Sequence, residues 1–292
     1  MSNLCIAACE YPLQRFANLE AWRARLETLC RQAAEAGAGL LVFPEYAGME
    51  LTGLLSDEKC MDLNASITAI QPMREAYLRA HTDIAQSLCV SILAGTLPWI
   101  VDDGTCRNRA WLCTPDGHSV PQDKIMMTRF ECEHWNICGG NELRVIQIPG
   151  AKIGILTCYD VEFPLLARQL VAGGAEILLV PSCTDTDAGY HRVMLSSRAR
   201  ALEQQCFVIQ SPLSGAAPWS PAVDVNTGKA GVFTPVDRGF PDDGIMACGA
   251  AAHTPWLLAE LDPPRLSTVR RHGQVRNFRD WPAQESARLV DQ

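Results

Sequence analysis

One cysteine of this chain, Cys158, follows a run of residues that predicts a buried strand. Residues 152–157 are mostly apolar, include β-branched side chains and lead directly into the cysteine and then into polar residues. This order puts a thiol at the carboxyl end of a strand, the edge where α/β sheets bind ligands and carry out chemistry. A free thiol has a pKa of about 8.5, so a nucleophilic role requires neighbours that activate the sulfur.

Two other ionisable residues follow strand-like segments. Glu45 comes after the apolar run 40–43, and Lys124 comes after a predicted hairpin. A carboxylate beside a thiol can accept its proton during nucleophilic attack. An ammonium stabilises the thiolate and then the oxyanion of a tetrahedral intermediate, and the backbone N–H of Tyr159 is a natural second oxyanion donor.

Spacing alone leaves other interpretations of these residues open. A glutamate after a strand can cap the next segment, a loop lysine is ordinarily solvated, and a cysteine in apolar sequence is commonly a small core residue. Nothing in the periodicity shows that the three side chains meet in space.

The elements that must position these residues alternate between strand-like and helix-like segments, which predicts a layered α/β fold. The predicted strands are 4–9, 40–43, 90–96, 143–148, 152–157, 177–181 and 207–210. A hairpin is predicted over 109–113 and 119–121, around the turn signal Pro115-Asp116-Gly117. The predicted helices are 18–36, 66–87, 162–173 and 190–204, short strands are expected within 220–262, and an extended tail is expected over 263–292.

Composition limits the classes of function. The chain has 292 residues, 48% of them hydrophobic, and a formal net charge of −8. An acidic chain without a basic stripe is a poor nucleic-acid binder, and the absence of an apolar stretch of about 18 residues argues against a membrane span. We expect one domain over residues 1–262 and a C-terminal extension over 263–292, whose arginines suit either a solvated tail or a subunit contact.

The thirteen cysteines do not indicate a disulfide framework, because their number is odd and no basic leader precedes residues 4–9. We expect free thiols in the reducing cytoplasm. No paired C-x-x-C set is present, and Cys132, His134 and Cys138 come closest to metal-ligand spacing. The sequence therefore predicts neither a metal site nor a cofactor.

Three motifs together carry a resemblance to a known family. They are Phe43-Pro44-Glu45, then Asp123-Lys124, then Gly154-Ile155-Leu156-Thr157-Cys158-Tyr159-Asp160-Val161-Glu162-Phe163-Pro164. Their types and order resemble those of the nitrilase, or carbon–nitrogen hydrolase, superfamily, over about residues 4–262. The resemblance implies a four-layer α-β-β-α sandwich with two central mixed sheets. It also implies that Glu45 is the general base, Lys124 the oxyanion stabiliser and Cys158 the nucleophile.

Many members of this superfamily carry a second glutamate after the lysine, and two residues fit that role here. Glu131 has the Thr-x-x-Glu spacing seen in nitrilase-like members, whereas Glu133, two residues before Trp135, fits amidase-like ones. We favour Glu131, and we retain Glu133 as a substrate contact. Asp160 is expected to anchor the turn at Cys158 through backbone hydrogen bonds.

Further residues are expected to shape the substrate pocket. They follow the base, lie in the irregular stretch before residue 140, follow the nucleophile or follow the strand that ends near Pro181: Tyr46, Trp135, Tyr159, Cys183, Thr184 and Asp185. Relatives use the equivalent of the last three to contact substrate, and Asp185 could bind a substrate ammonium or serve only as a turn carboxylate.

The predicted activity is hydrolysis of a non-peptide C–N bond in a small linear amide or N-carbamoyl compound, through a thioester on Cys158. The alternative is nitrile hydrolysis with the same residues, although true nitrilases often have Cys-Trp-Glu where this chain has Cys158-Tyr159-Asp160. An N-acyltransferase and a non-catalytic scaffold are further alternatives. Relatives pair through the helices here predicted over 162–173 and 190–204, so we expect a homodimer or an assembly of dimers.

Overall fold

The strands of this chain form two sheets, and a computed structural model describes residues 3–290 of it. Residues 1–2 of the expected domain and 291–292 of the expected extension lie outside the described part. The strands are β1 (Leu4–Cys9), β2 (Tyr11–Pro12), β3 (Leu40–Val42), β4 (Ser91–Ile100), β5 (Cys106–Cys113), β6 (Ser119–Asp123), β7 (Ile137–Cys138), β8 (Ile146–Ile148), β9 (Ala151–Ile155), β10 (Ile177–Ser182), β11 (Phe207–Ala216), β12 (Val225–Asn226), β13 (Gly231–Phe233), β14 (Ile245–Cys248) and β15 (Trp256–Leu261).

Helices lie in some of the connections between these strands and after the last strand. They are α1 (Leu19–Glu35), α2 (Asp57–Cys60), α3 (Leu63–Ile70), α4 (Arg74–Leu88), α5 (Arg129–Glu133), α6 (Pro164–Ala172), α7 (Asp187–Gln204), α8 (Pro263–His272) and α9 (Asn277–Asp280). Short 3₁₀ helices cover Ala47–Leu54, Gln71–Met73, Cys158–Glu162 and Trp281–Ser286.

Each sheet mixes parallel and antiparallel pairs. The first has the order β15-β1-β3-β4-β5-β6, with β7 beside β5. The second has the order β14-β13-β11-β10-β9-β8, with β2 and β12 beside β11. Strands β3 and β10 are buried on both faces, which explains why their sequences are continuous apolar runs and do not alternate.

Apolar side chains define four layers. One cluster lies between the sheets and joins residues such as Ile6 of the first sheet to Ile153 of the second. A second cluster packs α1 and α4 on the outer face of the first sheet, and a third packs α6 and α7 on the outer face of the second. The predicted α-β-β-α sandwich with two mixed sheets is confirmed.

Two sequence predictions about the elements were wrong. The helix predicted over 66–87 is divided into α3 and α4 by a 3₁₀ turn at Gln71–Met73, where Pro72 cannot donate a backbone hydrogen bond. The extension after residue 262 is not simply an extended tail, because α8 buries Leu266 and Val269 against the body of the protein. Its suggested role as a subunit contact stays a prediction.

The loop after β3 holds Glu45 against a bulge in β4. The backbone N–H of Tyr46, which has a left-handed φ of 58°, donates to the Thr96 hydroxyl at 2.8 Å. Gly95 also has a positive φ, and a Cβ there would lie 2.2 Å from the carbonyl oxygen of Pro44. Only glycine therefore lets β4 approach this loop so closely.

The turn that carries Cys158 is tied to the loop that carries Lys124. Cys158 has a left-handed φ of 49°, so its backbone is strained at the start of a 3₁₀ turn. The buried carboxylate of Asp160 accepts the backbone N–H groups of Thr157 (3.1 Å), Ile125 (3.1 Å) and Met126 (2.7 Å). The prediction that Asp160 anchors this turn through backbone hydrogen bonds is confirmed, and the anchor extends to the other sheet.

Replacing this carboxylate should destabilise the fold. Asp160→Ala would leave three buried N–H groups without their acceptor, and an orphaned buried donor costs about 1–3 kcal/mol. We expect the free energy of unfolding to fall by at least about 2 kcal/mol, measured by urea denaturation.

The matched control is Asp103→Ala, which removes an exposed carboxylate that accepts the Thr105 N–H at 2.8 Å. That change should cost less than about 1 kcal/mol, because water replaces the lost acceptor. Equal losses in the two variants would contradict the anchoring role of Asp160.

Candidate active site

A cavity of about 290 Å³ opens where the loops after β3, β6, β9 and β10 meet. The structure brings together in it the four residues expected to do chemistry: Glu45, Lys124, Glu131 and Cys158. The expected pocket residues Tyr46, Trp135, Tyr159, Cys183, Thr184 and Asp185 line the same cavity. Residues that are distant in sequence thus share one enclosed space.

Lys124 lies at the centre of this group. Its Nζ is 2.8 Å from Oε1 of Glu45 and 2.7 Å from Oε2 of Glu131. All three side chains are at most 3% exposed. A buried ammonium is tolerated when it is paired and hydrogen-bonded, as it is here.

Glu131 lies in the first turn of α5, where the chain forms a capping box. The Oε2 atom accepts the backbone N–H of Thr128 at 2.9 Å, and Oε1 accepts the hydroxyl of Tyr46 at 2.5 Å. These bonds hold the carboxylate toward Lys124. Local helix capping therefore explains the Thr-x-x-Glu spacing.

The prediction that Glu133 contacts substrate requires correction. Its carboxylate pairs with Arg129 at 2.9 Å across one helical turn on the exposed side of α5. It does not line the cavity, because a residue two positions after Glu131 on a helix points in a different direction. Geometry therefore assigns the position beside the lysine to Glu131.

The Cys158 sulfur lies beside Glu45 and the start of the loop after β10. Its Sγ is 3.7 Å from the carbonyl oxygen of Cys183, and the backbone N–H of Cys183 donates to Oε2 of Glu45 at 3.0 Å. The N–H of Tyr159 lies in the first turn of a 3₁₀ helix, where backbone donors have no partner within the helix. That donor is therefore available to an oxyanion formed next to Cys158.

The electrostatics of the site favour a neutral thiol beside a strong base. Burial, followed by the charge of Glu45, raises the pKa of Cys158 well above its usual range, although Lys124 opposes the shift. Burial also raises the pKa of Glu45 above its usual range, against the lowering effect of Lys124. A carboxylate with a raised pKa is a better proton acceptor, so the thiol is poised to lose its proton during attack.

The other charges are fixed. Burial alone would lower the pKa of Lys124, but Glu45 and Glu131 outweigh it and raise that pKa well above its usual range. Burial alone would raise the pKa of Glu131, but Lys124 outweighs it and lowers the value to about 2. Lys124 is thus an ammonium and Glu131 a carboxylate throughout the neutral range.

Aromatic side chains form one wall and charged ones the mouth. The rings of Tyr46 and Trp135 lie 4.8 Å apart, and the Trp135 indole N–H donates to the Leu63 carbonyl at 3.0 Å. The cavity is further lined by charged residues that the sequence analysis did not assign to it: Glu162, Arg192 and Asp224. They come from the turn after Cys158, from α7 and from the segment before β12, so their proximity depends on tertiary structure.

Sequence reasoning also missed Asn108. This asparagine of β5 is fully buried, and its Nδ2 donates to Oε1 of Glu45 at 2.8 Å and to Oε1 of Glu131 at 3.0 Å. A signal was present, because Asn108 shares the strand alternation with Ala110 and Leu112, which are both buried. A buried amide on such a face needs polar partners.

The described part of the chain has neither a metal-binding cluster nor a membrane-spanning helix. Between residues 3 and 290, no group of three or more His, Cys, Asp or Glu side chains is arranged to hold a metal ion. No helix in the same span is long and apolar enough to cross a membrane. The thirteen cysteines are all free thiols.

Comparison with known proteins gives consistent relatives. The family model for carbon-nitrogen hydrolases matches residues 5–256. The chain is 31% identical over 275 residues to the probable hydrolase YhcX of Bacillus subtilis, covering 94% of this chain and 53%, about half, of that protein. It is 25% identical over 277 residues to the deaminated glutathione amidase of Escherichia coli O157:H7, covering 91% and 95% of the two chains.

Solved structures share the fold at lower identity. The carbon-nitrogen hydrolase from Helicobacter pylori G27 superposes with a TM-score of 0.75 at 19% identity, covering 98% of this chain and 95% of the other. An amidase from Nesterenkonia sp. AN1, solved with acrylamide, gives a TM-score of 0.69 at 20% identity, covering 93% and 95%. With its matching family model, its fold and the cavity that unites its three sequence motifs, this chain belongs to the carbon–nitrogen hydrolase, or nitrilase, superfamily.

Proposed function

We propose that this protein is an amidase that hydrolyses a non-peptide C–N bond of a small linear amide through a thioester on Cys158. The observation that carries the proposal is the buried group in which Lys124 bridges Glu45 and Glu131 beside the Cys158 thiol. This arrangement supplies a nucleophile, a base and a fixed positive charge within one cavity.

In the first step, Sγ of Cys158 attacks the amide carbonyl carbon and forms an S–C bond. The thiol proton moves to Glu45, and the C=O electron pair becomes an oxyanion. Lys124 Nζ has three hydrogens, and it donates one to Glu45 and one to Glu131. The third hydrogen and the Tyr159 N–H then stabilise the oxyanion.

In the second step, the tetrahedral intermediate collapses. The C=O bond re-forms, the C–N bond breaks, and the leaving nitrogen takes the proton held by Glu45. Ammonia or an amine departs, and the acyl group remains on Cys158 as a thioester. Glu45 is again a carboxylate, ready to act a second time.

In the third step, Glu45 removes a proton from water, and the water oxygen attacks the thioester carbonyl. The C–S bond then breaks, and Glu45 returns the proton to the sulfur. The carboxylic acid leaves, and the site regains its resting state. One carboxylate thus serves as base and acid in both halves of the reaction.

The proposed substrate class follows from the size and lining of the cavity. A volume of about 290 Å³ suits a small molecule and not a folded protein chain. The inner end is polar and the side wall is aromatic, which suits a planar amide group with a short carbon chain. The names of two similar proteins, an amidase solved with acrylamide and a deaminated glutathione amidase, support an amide.

We also propose a homodimer that uses α6 and α7. Three leucines on these helices are exposed in the single chain, namely Leu165 (65%), Leu195 (56%) and Leu202 (41%). Large exposed apolar side chains on neighbouring helices favour association.

The thioester step should be visible by trapping. With an amide substrate, hydroxylamine should compete with water for the acyl group and give a hydroxamic acid, because it attacks the thioester carbonyl and releases the Cys158 thiol. Cys158→Ala should give neither ammonia nor hydroxamate, measured colorimetrically. Cys248→Ala, which removes an exposed thiol outside the cavity, is the control and should keep both products. Ammonia release that persists in Cys158→Ala would contradict the mechanism.

A substrate panel tests the proposed activity. Short aliphatic amides, ω-amides of dicarboxylic acids, N-carbamoyl amino acids and nitriles should be compared for ammonia release, with Cys158→Ala as the background. We expect turnover of at least one amide class, because the thiol, base and oxyanion donors suit a carbonyl carbon. Turnover of nitriles without amides would show a nitrilase, and no turnover of any class would refute the proposal.

The dimer is checked by light scattering at several protein concentrations. We expect twice the chain mass of 32.0 kDa, and Leu195→Glu should shift the equilibrium toward the monomer, because a charge would be buried in the apolar contact. The control is Leu258→Glu, which places the same charge at an exposed leucine of β15. A monomer in the unaltered protein would exclude this assembly.

A further inference from the structure

We propose that the side-chain amide of Asn108 is a positioning group that occupies Oε1 of Glu45 and thereby leaves Oε2 as the oxygen that takes the Cys158 proton. The inference rests on the proposed function only in naming Glu45 as the base for Cys158. It assigns a role to a residue that the mechanism above does not use.

The hydrogen-bond count at Glu45 supports the proposal. Oε1 accepts from Asn108 Nδ2 at 2.8 Å and from Lys124 Nζ at 2.8 Å. Oε2 accepts the backbone N–H of Cys183 at 3.0 Å. An oxygen that holds two donors, one of them charged, is the weaker base, so a proton goes to Oε2 in preference.

Asn108 also closes a ring of hydrogen bonds. Its two amide hydrogens go to Glu45 and Glu131, and Lys124 joins the same two carboxylates from the other side. The reverse orientation of the amide would set its oxygen against both carboxylates, so this orientation is the favourable one. The ring fixes the rotation of each carboxylate as well as its position.

The backbone holds Asn108 independently of its side chain. Asn108 is paired with Pro98 in the β4–β5 ladder, and its carbonyl oxygen accepts the N–H of Lys124 at 2.9 Å. A substitution at this position removes the amide but keeps these main-chain bonds. The effect of the side chain can therefore be separated from the placement of Lys124.

Other ionisable groups also face Glu45 and contribute to its titration. They come from the loops after β6, β9 and β10, from α5 and from the residue after Glu45 itself: Lys124, Cys158, Cys183, Glu131 and Tyr46. A substitution at Asn108 leaves these residues in place and, apart from Glu45, removes a hydrogen bond only from Glu131. Loss of the neutral donor that Asn108 provides should destabilise the carboxylate form of Glu45. The pKa of Glu45 should therefore rise, so that a higher pH is needed to ionise the base.

The test uses alkylation of Cys158 by iodoacetamide, which does not require amide turnover. Sulfur forms a bond to the CH₂ carbon, iodide leaves, and Glu45 takes the thiol proton. The rate at Cys158 is measured by peptide mass spectrometry from pH 4 to pH 9, with exposed Cys248 as the internal reference. The acidic limb of this profile reports the ionisation of Glu45 and of Asp160, whose pKa burial raises to about 7. Asn108 bonds to Glu45 and not to Asp160, so a shift caused by its substitution is assigned to Glu45.

Asn108→Leu keeps the branching and the number of heavy atoms of the native side chain, is bulkier and lacks the donor. We expect its acidic limb to move up by about one pH unit, while the rate at Cys248 stays unchanged. In amide hydrolysis kcat should fall by roughly 10²-fold with little change in KM, because the base is misoriented and the substrate contacts remain. Asn108→Asp keeps the shape, adds a negative charge and should move the limb further in the same direction.

The matched control is Gln122→Leu on the neighbouring strand β6. Gln122 is equally buried, and its amide bonds to backbone groups at Asp123, Glu142 and Arg144 and not to the carboxylates of the site. This variant should lose stability but keep the acidic limb in place.

Two results would overturn the inference. One is an acidic limb that stays in place in both Asn108 variants while near-ultraviolet circular dichroism shows native packing. The other is an equal shift in Gln122→Leu, which would assign the effect to packing. If the limb shifts as expected but no amide is hydrolysed, the role of Asn108 stands and the proposed function fails.

Discussion

A single ammonium group, that of Lys124, sets the conditions for the rest of the site. Burying a charge is unfavourable unless partners replace its water, and here Glu45 and Glu131 supply them at 2.8 and 2.7 Å. Two carboxylates around one ammonium leave the group with excess negative charge. Neutral donors, including Tyr46 and Asn108, distribute that charge over further hydrogen bonds. Burial and the charge of Glu45 also raise the pKa of Cys158, so that residue rests as a thiol.

The layered α/β fold could be predicted from local sequence patterns, whereas the four-layer sandwich and the grouping of the site residues were implied by the family resemblance. Apolar runs such as 40–42 and 177–180 favour strands buried on both faces, which the structure confirms, and they indicate the layered sheets. The motifs around Glu45, Lys124 and Cys158 lie at the ends of strands. Glu131 was favoured through the Thr-x-x-Glu spacing of the resemblance, and the structure explains that spacing as a capping box with Thr128. Each of these sequence signals spans only a few consecutive residues.

The remaining features depend on contacts between distant segments, which periodicity does not record. Asn108 is a polar residue within β5, and only the folded structure brings it into contact with Glu45 and Glu131. The charged mouth of the cavity joins Glu162, Arg192 and Asp224 from three separate segments. The error at Glu133 has the same origin, because sequence spacing gives two candidates and only the direction of the helix distinguishes them. Pro72 is the exception, since its effect on the helix over 66–87 was available from the sequence.

The carboxylate of Asp160 has a consequence for how the protein acquires its reactivity during synthesis. It accepts hydrogen bonds from the turn of Cys158, which follows β9 of the second sheet. It also accepts the backbone N–H groups of Ile125 and Met126, which follow β6 of the first sheet. The base and the ammonium therefore come from the amino-terminal half and the sulfur from the half made later. A nascent chain that ends before Cys158 contains the glutamates and the lysine without the sulfur, and the first sheet itself is complete only when β15 pairs with β1. In the proposed mechanism, the sulfur therefore meets its base and its ammonium partner only when the two sheets pack together.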